Sequence, residues 1–306
     1  MSYKVASSTE REFNSAVWLK SLLIACRPSH WIKNAFVFAA LVFSGRFRNL
    51  SDILRSTQGF VVFSLVASSI YLFNDIIDRE QDSRSESSRS RPIAAGHVSV
   101  PTAVVAALVL QLTGLYWGFR LSVEFFLLLI LYTGNNLLYS LYIKSKVIAD
   151  VISIAVGFVI RIIAGAVLIQ VEPSHWLLIC TFSLALLLGF GKRRAELLSA
   201  PGVKFVSTIY TPEKLDQMIN VSAAVTILSY MLYATSPESI QRFKGTHLIY
   251  TVPFVVYGIF RFVAKIQEGK CKDPVHLLYT DYVSVLNLAL WALVVFCIVG
   301  KAYYAF

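Results

Sequence analysis

The chain has 306 residues, of which 56% are apolar and 15% are charged, with a net charge of +10 and a mean hydropathy of +0.64. Soluble domains are about 45–50% apolar and about 25% charged, so this composition excludes an ordinary soluble protein and indicates a polytopic membrane protein. The positive charge lies in short loops between apolar segments, which favours membrane topology and an anionic substrate over nucleic-acid binding.

Nine apolar segments predict an all-α fold of nine membrane-spanning helices. They fall at about 31–45, 57–77, 98–119, 121–143, 147–170, 175–191, 217–236, 246–266 and 283–304. No linker divides them, so we expect a polar or amphipathic N-terminal segment at 1–26 and a single transmembrane domain at 27–306. No cleavable signal pattern precedes the first span, which should therefore be retained.

Lysine and arginine residues are distributed unevenly across the predicted topology. The N-terminus and the loops after spans two, four, six and eight together carry 20 of the 28 basic residues and 14 of the 18 acidic residues. Because basic loops favour the cytoplasmic side, we expect the N-terminus and the active site to face the cytoplasm at a cell membrane.

Cysteine and histidine residues do not indicate a site of their own. The cysteines lack C-x-x-C and Cys–His spacing, so we predict neither a zinc site nor a disulfide framework. The residues interpreted as structural are Cys26, Cys180, Cys271, Cys297, His30, His97 and His276.

The first apolar segment opens with R-P-S-H-W-I-K-N at 27–34. Arg27, Trp31 and Lys33 could anchor the helix at the membrane interface, with the aromatic ring at the headgroups and the cations at phospholipid. A lysine at such a position can equally contact a substrate. For Lys33 the residues alone leave both interpretations open.

The second span ends in a cluster of acidic and amide side chains. Asn74, Asp78 and Asp82 are spaced at i, i+4 and i+8, so on a helix their oxygens line one face. Oxygen ligands of this kind suit Mg²⁺, which is usually held by one or two carboxylates plus substrate phosphates. A solvated helix end of mixed charge is the alternative, but the acids begin inside an apolar run, where ionisable groups are usually functional.

The loop that follows carries Arg84, Arg89 and Arg91. Guanidinium groups match phosphate oxygens bidentately, so this loop suggests a diphosphate site beside the metal site. Tyr71 lies one turn before Asn74 on the same face and could donate a hydrogen bond to a phosphate or ribose. A tyrosine at such a position is more often an interface residue.

Span four carries four polar side chains on roughly one face and a lysine at its end: Tyr132, Asn135, Asn136, Tyr139 and Lys144. We interpret the two asparagines as amides that pin neighbouring helices together. Tyr139 and Lys144 are candidates for substrate contact.

Span five carries Asp150, Gly157 and Arg161 on one face. An unpaired arginine inside a membrane helix costs about 2.5–3.5 kcal/mol, so Arg161 should have a partner. Asp150 lies three turns away, too far for a direct pair, which leaves a bound phosphate as the obvious candidate. Gly157 and Gly165 are expected to permit close helix packing.

Span six ends in G-F-G-K-R-R-A-E-L at 189–197. The cations could be a positive-inside stop or phosphate ligands, with Lys192 the first candidate and Arg193 supporting it. Glu196 should pair with one of them at i,i+3 or i,i+4. Downstream, Thr211 and Pro212 predict the capped start of the next helix.

These motifs together resemble the UbiA superfamily of intramembrane prenyltransferases. N-D-x-x-D-x-x-x-D, from Asn74 to Asp82, is similar to the first aspartate-rich motif of that superfamily, and R-P-I-A-A-G at 91–96 is likewise similar. R-P-x-x-W-x-K-N, Y-x-x-x-x-K, G-K-R-x-A-E-L and the late Asp281 point to one branch, the decaprenyl-phosphate phosphoribosyltransferases. The resemblance covers about residues 27 to 300.

The resemblance implies a helical bundle around a cytoplasm-facing cavity and an Mg²⁺-dependent reaction. A 5-phosphoribosyl group would pass from 5-phosphoribosyl 1-diphosphate to a membrane polyprenyl phosphate such as decaprenyl phosphate. The catalytic group is then Asp75, Asp78 and Asp82, and the metal ligands are Asn74, Asp78 and Asp82. The substrate-binding residues are Lys33, Tyr71, Arg89, Arg91, Tyr139, Lys144, Arg161, Lys192 and Arg193. Membrane lipids are expected partners, nucleic acid is not, and a homo-oligomer is compatible with this prediction.

One position departs from the branch. Its pattern H-P-T-K-x-x-R-P has a lysine three positions before the R-P, which is Arg91 and Pro92 here. The residues around that position are Glu86, Ser87, Ser88 and Arg89, so Ser88 replaces the lysine and its phosphate contact is absent or passes to Arg89. This departure bears on the donor and not on the fold.

Two other functions remain open from the sequence. Prenyl transfer from a prenyl diphosphate to a small or aromatic acceptor predicts a second acidic metal motif after span six, where this chain has cations at 192–194. An organic-phosphate transporter predicts an inverted repeat, which is not evident.

Overall fold

A computed structural model describes residues 15–86, 88–199, 210–245, 247–269, 277 and 280–304, and these residues form helices and no strands. Within these ranges the chain forms twelve α-helices: α1 Ser15–Ala25, α2 Ala39–Phe43, α3 Leu50–Ile77, α4 Arg79–Arg84, α5 Val100–Leu121, α6 Val123–Leu141, α7 Ala149–Leu168, α8 His175–Ser199, α9 Pro212–Thr235, α10 Pro237–Arg242, α11 Val252–Gln267 and α12 Tyr282–Tyr304. Three 3₁₀ helices lie at Pro28–Phe38, Ile143–Ser145 and His247–Thr251.

Eight of the described helical stretches are long and apolar enough to cross a membrane. They are α3, α5, α6, α7, α8, α9, the stretch His247–Gln267 that includes α11, and α12. They coincide with the second to ninth predicted spans, so the all-α, multi-pass prediction is confirmed.

The first predicted span, at 31–45, is mostly 3₁₀ helix and is not among the eight long apolar stretches. It consists of the 3₁₀ helix Pro28–Phe38 followed directly by the five-residue α2. A 3₁₀ helix rises about 2.0 Å per residue against about 1.5 Å in an α-helix, so the 16 residues from Pro28 to Phe43 extend over roughly 30 Å. This length is close to the thickness of a hydrocarbon core.

The chain divides into two compact units. The first comprises Met1–Ser29 and Leu65–Thr113, and the second comprises His30–Ser64 and Gly114–Phe306. The first unit has its own apolar core, which includes Ala25, Leu72 and Ile93. The predicted N-terminal segment at 1–26 and single domain at 27–306 stay a prediction.

Helix α7 is the most buried of the eight membrane-spanning stretches and lies at the centre of the second unit. It packs against α6 and α8, and α8 packs in turn against α9. Val151 of α7, Leu187 of α8 and Leu215 of α9 meet in one core cluster. The predicted start of α9 is confirmed, because the Thr211 side chain accepts a hydrogen bond from the Lys214 N–H and Pro212 occupies the first turn.

Gly165 of α7 lies against the backbone of the 3₁₀ helix. A Cβ atom at this position would be 2.0 Å from the Val37 carbonyl oxygen, far inside van der Waals contact. The close-packing prediction is therefore confirmed for Gly165. At Gly157 the nearest atom to such a Cβ would be 3.6 Å away, so this glycine is not required by packing.

Replacing Gly165 with Ala should destabilise the protein by about 2 kcal/mol or more, because backbone atoms must move to admit the methyl group. Thermal unfolding in detergent measures this loss. Gly134→Ala in α6 is the matched control: its Cβ would meet nothing within 4 Å. That change should be neutral or stabilise by up to about 1 kcal/mol, since alanine favours the helix. Equal melting temperatures for the two variants would contradict the packing argument.

Arg261 of α11 and Asp281, just before α12, form a bidentate ion pair. The guanidinium Nε and Nη2 donate to the two carboxylate oxygens at 2.6 Å each. The Ser284 backbone N–H also donates to this carboxylate, which therefore caps α12. The hydrogen bonds from Arg261, aided by Ser284, hold the pKa of Asp281 well below its usual range despite its burial. Asp281, identified in the sequence only as a late aspartate, thus joins two helices.

Asp281→Asn should lower the melting temperature at neutral pH and have little effect in strong acid. A carboxyl whose pKa is depressed by folding stabilises the protein above its unfolded pKa of about 3.9, and this stability is lost as pH falls through the folded value. The difference between wild type and variant should thus be constant from about pH 5 to 8 and shrink below about pH 4. Glu213→Gln, an exposed carboxyl in α9, is the control. A difference independent of pH would refute the assignment.

Candidate functional site

The predicted metal ligands lie where α3 ends and α4 begins, within the first unit. Asn74 is in the last turn of α3, Asp78 lies between the helices and Asp82 is in α4. The Asp78 N–H donates to the Asn74 carbonyl at 2.9 Å and the Asp82 N–H to the Asp78 carbonyl at 2.8 Å. Helical hydrogen bonding therefore continues across the junction, and the three residues keep the i, i+4, i+8 spacing.

Asp75 is turned away from solvent and is only 2% exposed. Its carboxylate pairs with Arg27 and lies 3.4 Å from Nη1 of Arg91. The Arg27 guanidinium also lies 5.2 Å above the ring of Tyr71. The sequence suggested a membrane anchor for Arg27, but the structure places it on the acidic cluster. The backbone of Arg27 lies in the left-handed region, with φ of 51°.

Arg91, from the loop after α4, contacts two of the acids. Its Nη1 donates to Asp82 Oδ2 at 2.6 Å, in addition to its contact with Asp75. Arg84 and Arg89 are exposed. The loop thus brings one guanidinium between two carboxylates and leaves two others at the surface.

The acidic cluster offers oxygen ligands that a divalent cation could share with a substrate. In the described parts of the chain no group of three or more His, Cys, Asp or Glu side chains could hold a metal ion alone. Asn74 and Asp78 are half-buried, and Asp82 is 6% exposed beside Arg91. One amide and two carboxylates on one face fit Mg²⁺, which commonly completes its shell with water and substrate phosphates.

A cavity of about 570 Å³ lies beside α4. It is lined by Ile76, Ile77, Arg79, Glu80, Gln81, Arg84 and Val100. None of the predicted metal or substrate ligands is among these residues, so the predicted substrate cavity stays a prediction.

Arg161 is the central cation of the second unit and is 5% exposed. Its guanidinium donates to Asn34 Oδ1, the Gly157 carbonyl and the Tyr132 hydroxyl, each at 2.8 Å. The group also lies 4.6 Å from the centre of the Tyr132 ring. The partners that the sequence required are therefore neutral oxygens and an aromatic face, which stabilise a buried cation without a carboxylate.

Asn34 was not singled out as a site residue from the sequence. It is 1% exposed, donates to Ser64 Oγ at 3.0 Å and accepts from Arg161. An amide directly after Lys33 in an apolar segment was the available signal, but its partner lies 127 residues away. Lys33 itself is half-buried.

Of the two asparagines in α6, one joins helices as predicted. Asn135 donates to the Ser153 carbonyl of α7 at 2.9 Å and accepts from the Ser153 hydroxyl at 3.1 Å. Asn136 instead donates to the Tyr132 carbonyl of its own helix.

Arg193 of α8 is the centre of a second polar network. It donates to Asp150 Oδ2 at 2.7 Å, Glu196 Oε2 at 2.7 Å and the Tyr139 hydroxyl at 2.9 Å. Asp150 was expected to lack a direct partner in Arg161, and it pairs with Arg193 instead. The network ties α6, α7 and α8 together.

Lys192 lies beside this network with its side chain 40% exposed. Its Nζ is 3.9 Å from Glu196 Oε1, so the predicted i,i+4 and i,i+3 pairs of Glu196 are both present. Lys144 is half-buried in the 3₁₀ helix Ile143–Ser145. Both lysines belong to the set of residues predicted to contact the substrate.

Comparison with known proteins agrees with the fold and motifs. The model of the UbiA prenyltransferase family matches residues 34–279. A decaprenyl-phosphate phosphoribosyltransferase of Mycobacterium tuberculosis is 30% identical over 276 residues, covering 87% of this chain and 90% of that protein. The protein of the same name from Corynebacterium glutamicum is 32% identical over 292 residues, covering 92% and 86%.

A solved structure shares the fold. A UbiA homolog from Archaeoglobus fulgidus, bound to DMAPP and Mg²⁺, superimposes with a TM-score of 0.70 at 17% identity and covers 92% of this chain and 99% of that one. At this identity the likeness concerns the fold alone. Because the family model spans most of the chain, the protein belongs to the UbiA prenyltransferase family.

Proposed function

We propose that the protein transfers the 5-phosphoribosyl group of 5-phosphoribosyl 1-diphosphate to a membrane polyprenyl phosphate and releases diphosphate. The observation that carries the proposal is the helical face of Asn74, Asp78 and Asp82 with Arg91 among its acids. An oxygen-ligand face beside a guanidinium suits a metal-bound diphosphate. The names of the relatives that are 30–32% identical support the choice of donor and acceptor.

The charge of the second unit supports a phosphate-rich donor over a prenyl diphosphate. Prenyl transfer would require a second acidic metal motif after α8, and residues 198–212 contain no Asp or Glu. The end of α8 instead carries Lys192, Arg193 and Arg194. Cations at this position suit phosphate groups of the donor and acceptor.

In this proposal the residues of the first unit bind the diphosphate, which is the leaving group. Asn74, Asp78 and Asp82 would hold Mg²⁺ on the diphosphate, and the ion would supply charge stabilisation as the diphosphate departs. Asp75 holds Arg27 and Arg91 by ion pairs and so orients Arg91 for the diphosphate. Arg89 and Tyr71 add donors for the same substrate.

The reaction exchanges one bond at C1 of the ribose for another. The bond from C1 to the diphosphate oxygen breaks, the oxygen keeps the electron pair, and an oxygen of the lipid phosphate forms the new bond to C1. The lipid phosphate is already ionised near neutral pH, so the chain need not supply a strong general base.

The second unit carries the other residues that we expect to act on substrate phosphates. Lys33 and Lys144 would bind the donor, and Lys192 the acceptor phosphate. Arg161, whose guanidinium is held by Asn34, Gly157 and Tyr132, would act on the donor only through its charge. Arg193 and Tyr139 hydrogen-bond each other and Asp150 neutralises Arg193, so these two act chiefly by positioning Lys192. The distribution of Lys and Arg supports a cytoplasmic position for this chemistry, at a cell membrane.

A transfer assay tests the function. Purified protein in lipid is mixed with ribose-labelled 5-phosphoribosyl 1-diphosphate and polyprenyl phosphate, with either Mg²⁺ or a chelator. We expect label to enter the lipid phase only with Mg²⁺, because the diphosphate leaves poorly without charge stabilisation.

Two results would refute the proposal. Transfer of a prenyl group from a prenyl diphosphate to a small acceptor, with no ribose transfer, would mean that Ser88 marks a change of donor. Uptake of an organic phosphate into sealed vesicles without chemical change would indicate a transporter.

Asp78→Ala should reduce turnover by about 100-fold or more, the usual effect of losing one group that stabilises developing charge. The variant should remain folded, because Asp78 lies half-buried between two helices and not in the core. Initial rates and thermal unfolding in detergent measure both properties.

Glu80→Ala is the matched control, since it removes an exposed carboxylate two residues away in α4. It should retain near wild-type turnover. A folded Asp78→Ala protein with normal turnover would exclude Asp78 from the metal site.

A further inference from the structure

The connection between α6 and α7 contains a strained turn. Ile148 has φ of 69° and ψ of −45°, and the Ala149 N–H donates to the Val147 carbonyl at 2.7 Å. These features define a γ-turn with a positive central φ, a rare and strained form. A β-branched residue is especially unfavourable there, because its Cβ crowds the backbone.

The turn is held by the hydroxyl of Tyr210, which lies two residues before the start of α9. The Ile148 N–H donates to this hydroxyl at 2.6 Å. The hydroxyl in turn donates to Asp150 Oδ1 at 2.8 Å. Burial raises the pKa of Tyr210 to about 12, so the group keeps its proton at neutral pH and can donate.

The same carboxylate belongs to the Arg193 network. Asp150 is 2% exposed, and its second oxygen, Oδ2, accepts from Arg193 Nε at 2.7 Å. The Tyr210 hydroxyl is thus oriented by Asp150, and Asp150 is in turn held by Arg193. Strain that persists in such surroundings is often associated with function.

The turn follows Lys144 closely in the chain. Lys144 lies in the 3₁₀ helix Ile143–Ser145, and the Lys146 carbonyl accepts from the Asp150 N–H at 3.2 Å. The backbone direction at Ile148 therefore sets the path of the segment that presents Lys144. Without the hydroxyl, Ile148 can relax to a negative φ and carry this segment with it.

We propose that Tyr210 is a positioning residue for substrate binding: its hydroxyl holds the strained turn at Ile148 and thereby places Lys144 against a phosphate group of the substrate. That this phosphate belongs to the donor rests on the proposed function. The hydrogen bonds of Tyr210 and the turn at Ile148 are independent of that function.

The test is a double-mutant cycle of Tyr210→Phe and Ile148→Gly. Glycine adopts a positive φ without cost, so the turn in that background no longer depends on the hydroxyl. In the wild-type background, Tyr210→Phe should raise the KM for 5-phosphoribosyl 1-diphosphate about fivefold, with a smaller change in kcat, as expected for loss of one hydrogen bond. In the Ile148→Gly background the same change should have little effect.

A control separates positioning from general loss of a buried hydroxyl. The hydroxyls of Tyr230 in α9 and Thr251 form a buried hydrogen bond of 2.6 Å, and both residues lie outside the turn at Ile148. Tyr230→Phe should lower the melting temperature and leave KM unchanged. A similar rise in KM for Tyr230→Phe would overturn the proposal.

A second readout needs no substrate. Amide hydrogen exchange of residues 143–149 in detergent should accelerate in Tyr210→Phe, and this acceleration should be much smaller when Ile148 is already Gly. If wild type lacks phosphoribosyl transfer but shows this coupling, the proposed function fails and the role of Tyr210 in holding the turn stands. Equal effects of Tyr210→Phe in both backgrounds, on exchange or on KM, would overturn the positioning role.

Discussion

A charged side chain within a membrane-spanning helix needs partners within the protein, because hydrocarbon offers neither hydrogen bonds nor counter-charge. Arg161 meets this constraint with three neutral oxygens and an aromatic face. Asp150 meets it with Arg193, and Asp75 with Arg27 and Arg91. Each solution joins segments distant in the chain, so the buried charges link helices that the sequence separates.

The two units satisfy the constraint differently, and the difference matters for chemistry. In the first unit, acids and arginines pair around the end of α3, where Asn74 and Asp78 are half-buried. In the second unit, Arg161 and Arg193 are largely satisfied by the protein. Lys192 and Lys144, more exposed than either, are the better candidates for direct contact with a substrate phosphate.

One glycine and one amide make the closest contacts between the first apolar segment and α7. The 3₁₀ helix brings the Val37 carbonyl against Gly165, where any side chain would collide. Three residues earlier in the same helix, Asn34 reaches Arg161 and Ser64. A tighter helix with a longer rise allows few residues to cover a membrane-scale distance and still place this amide beside a buried cation.

The sequence by itself determined the membrane class, the eight confirmed spans, the shared face of Asn74, Asp78 and Asp82, the pairs of Glu196 and the cap of α9. All of these depend on local spacing, which composition and the helical period make visible. Only the tertiary structure decided the partners of the buried charges. Arg161 bonds across 127 residues, Tyr210 across 60 and Arg27 across 48, and no periodicity links such positions. The strained turn at Ile148 was equally hidden, because the hydroxyl that holds it comes from a distant segment.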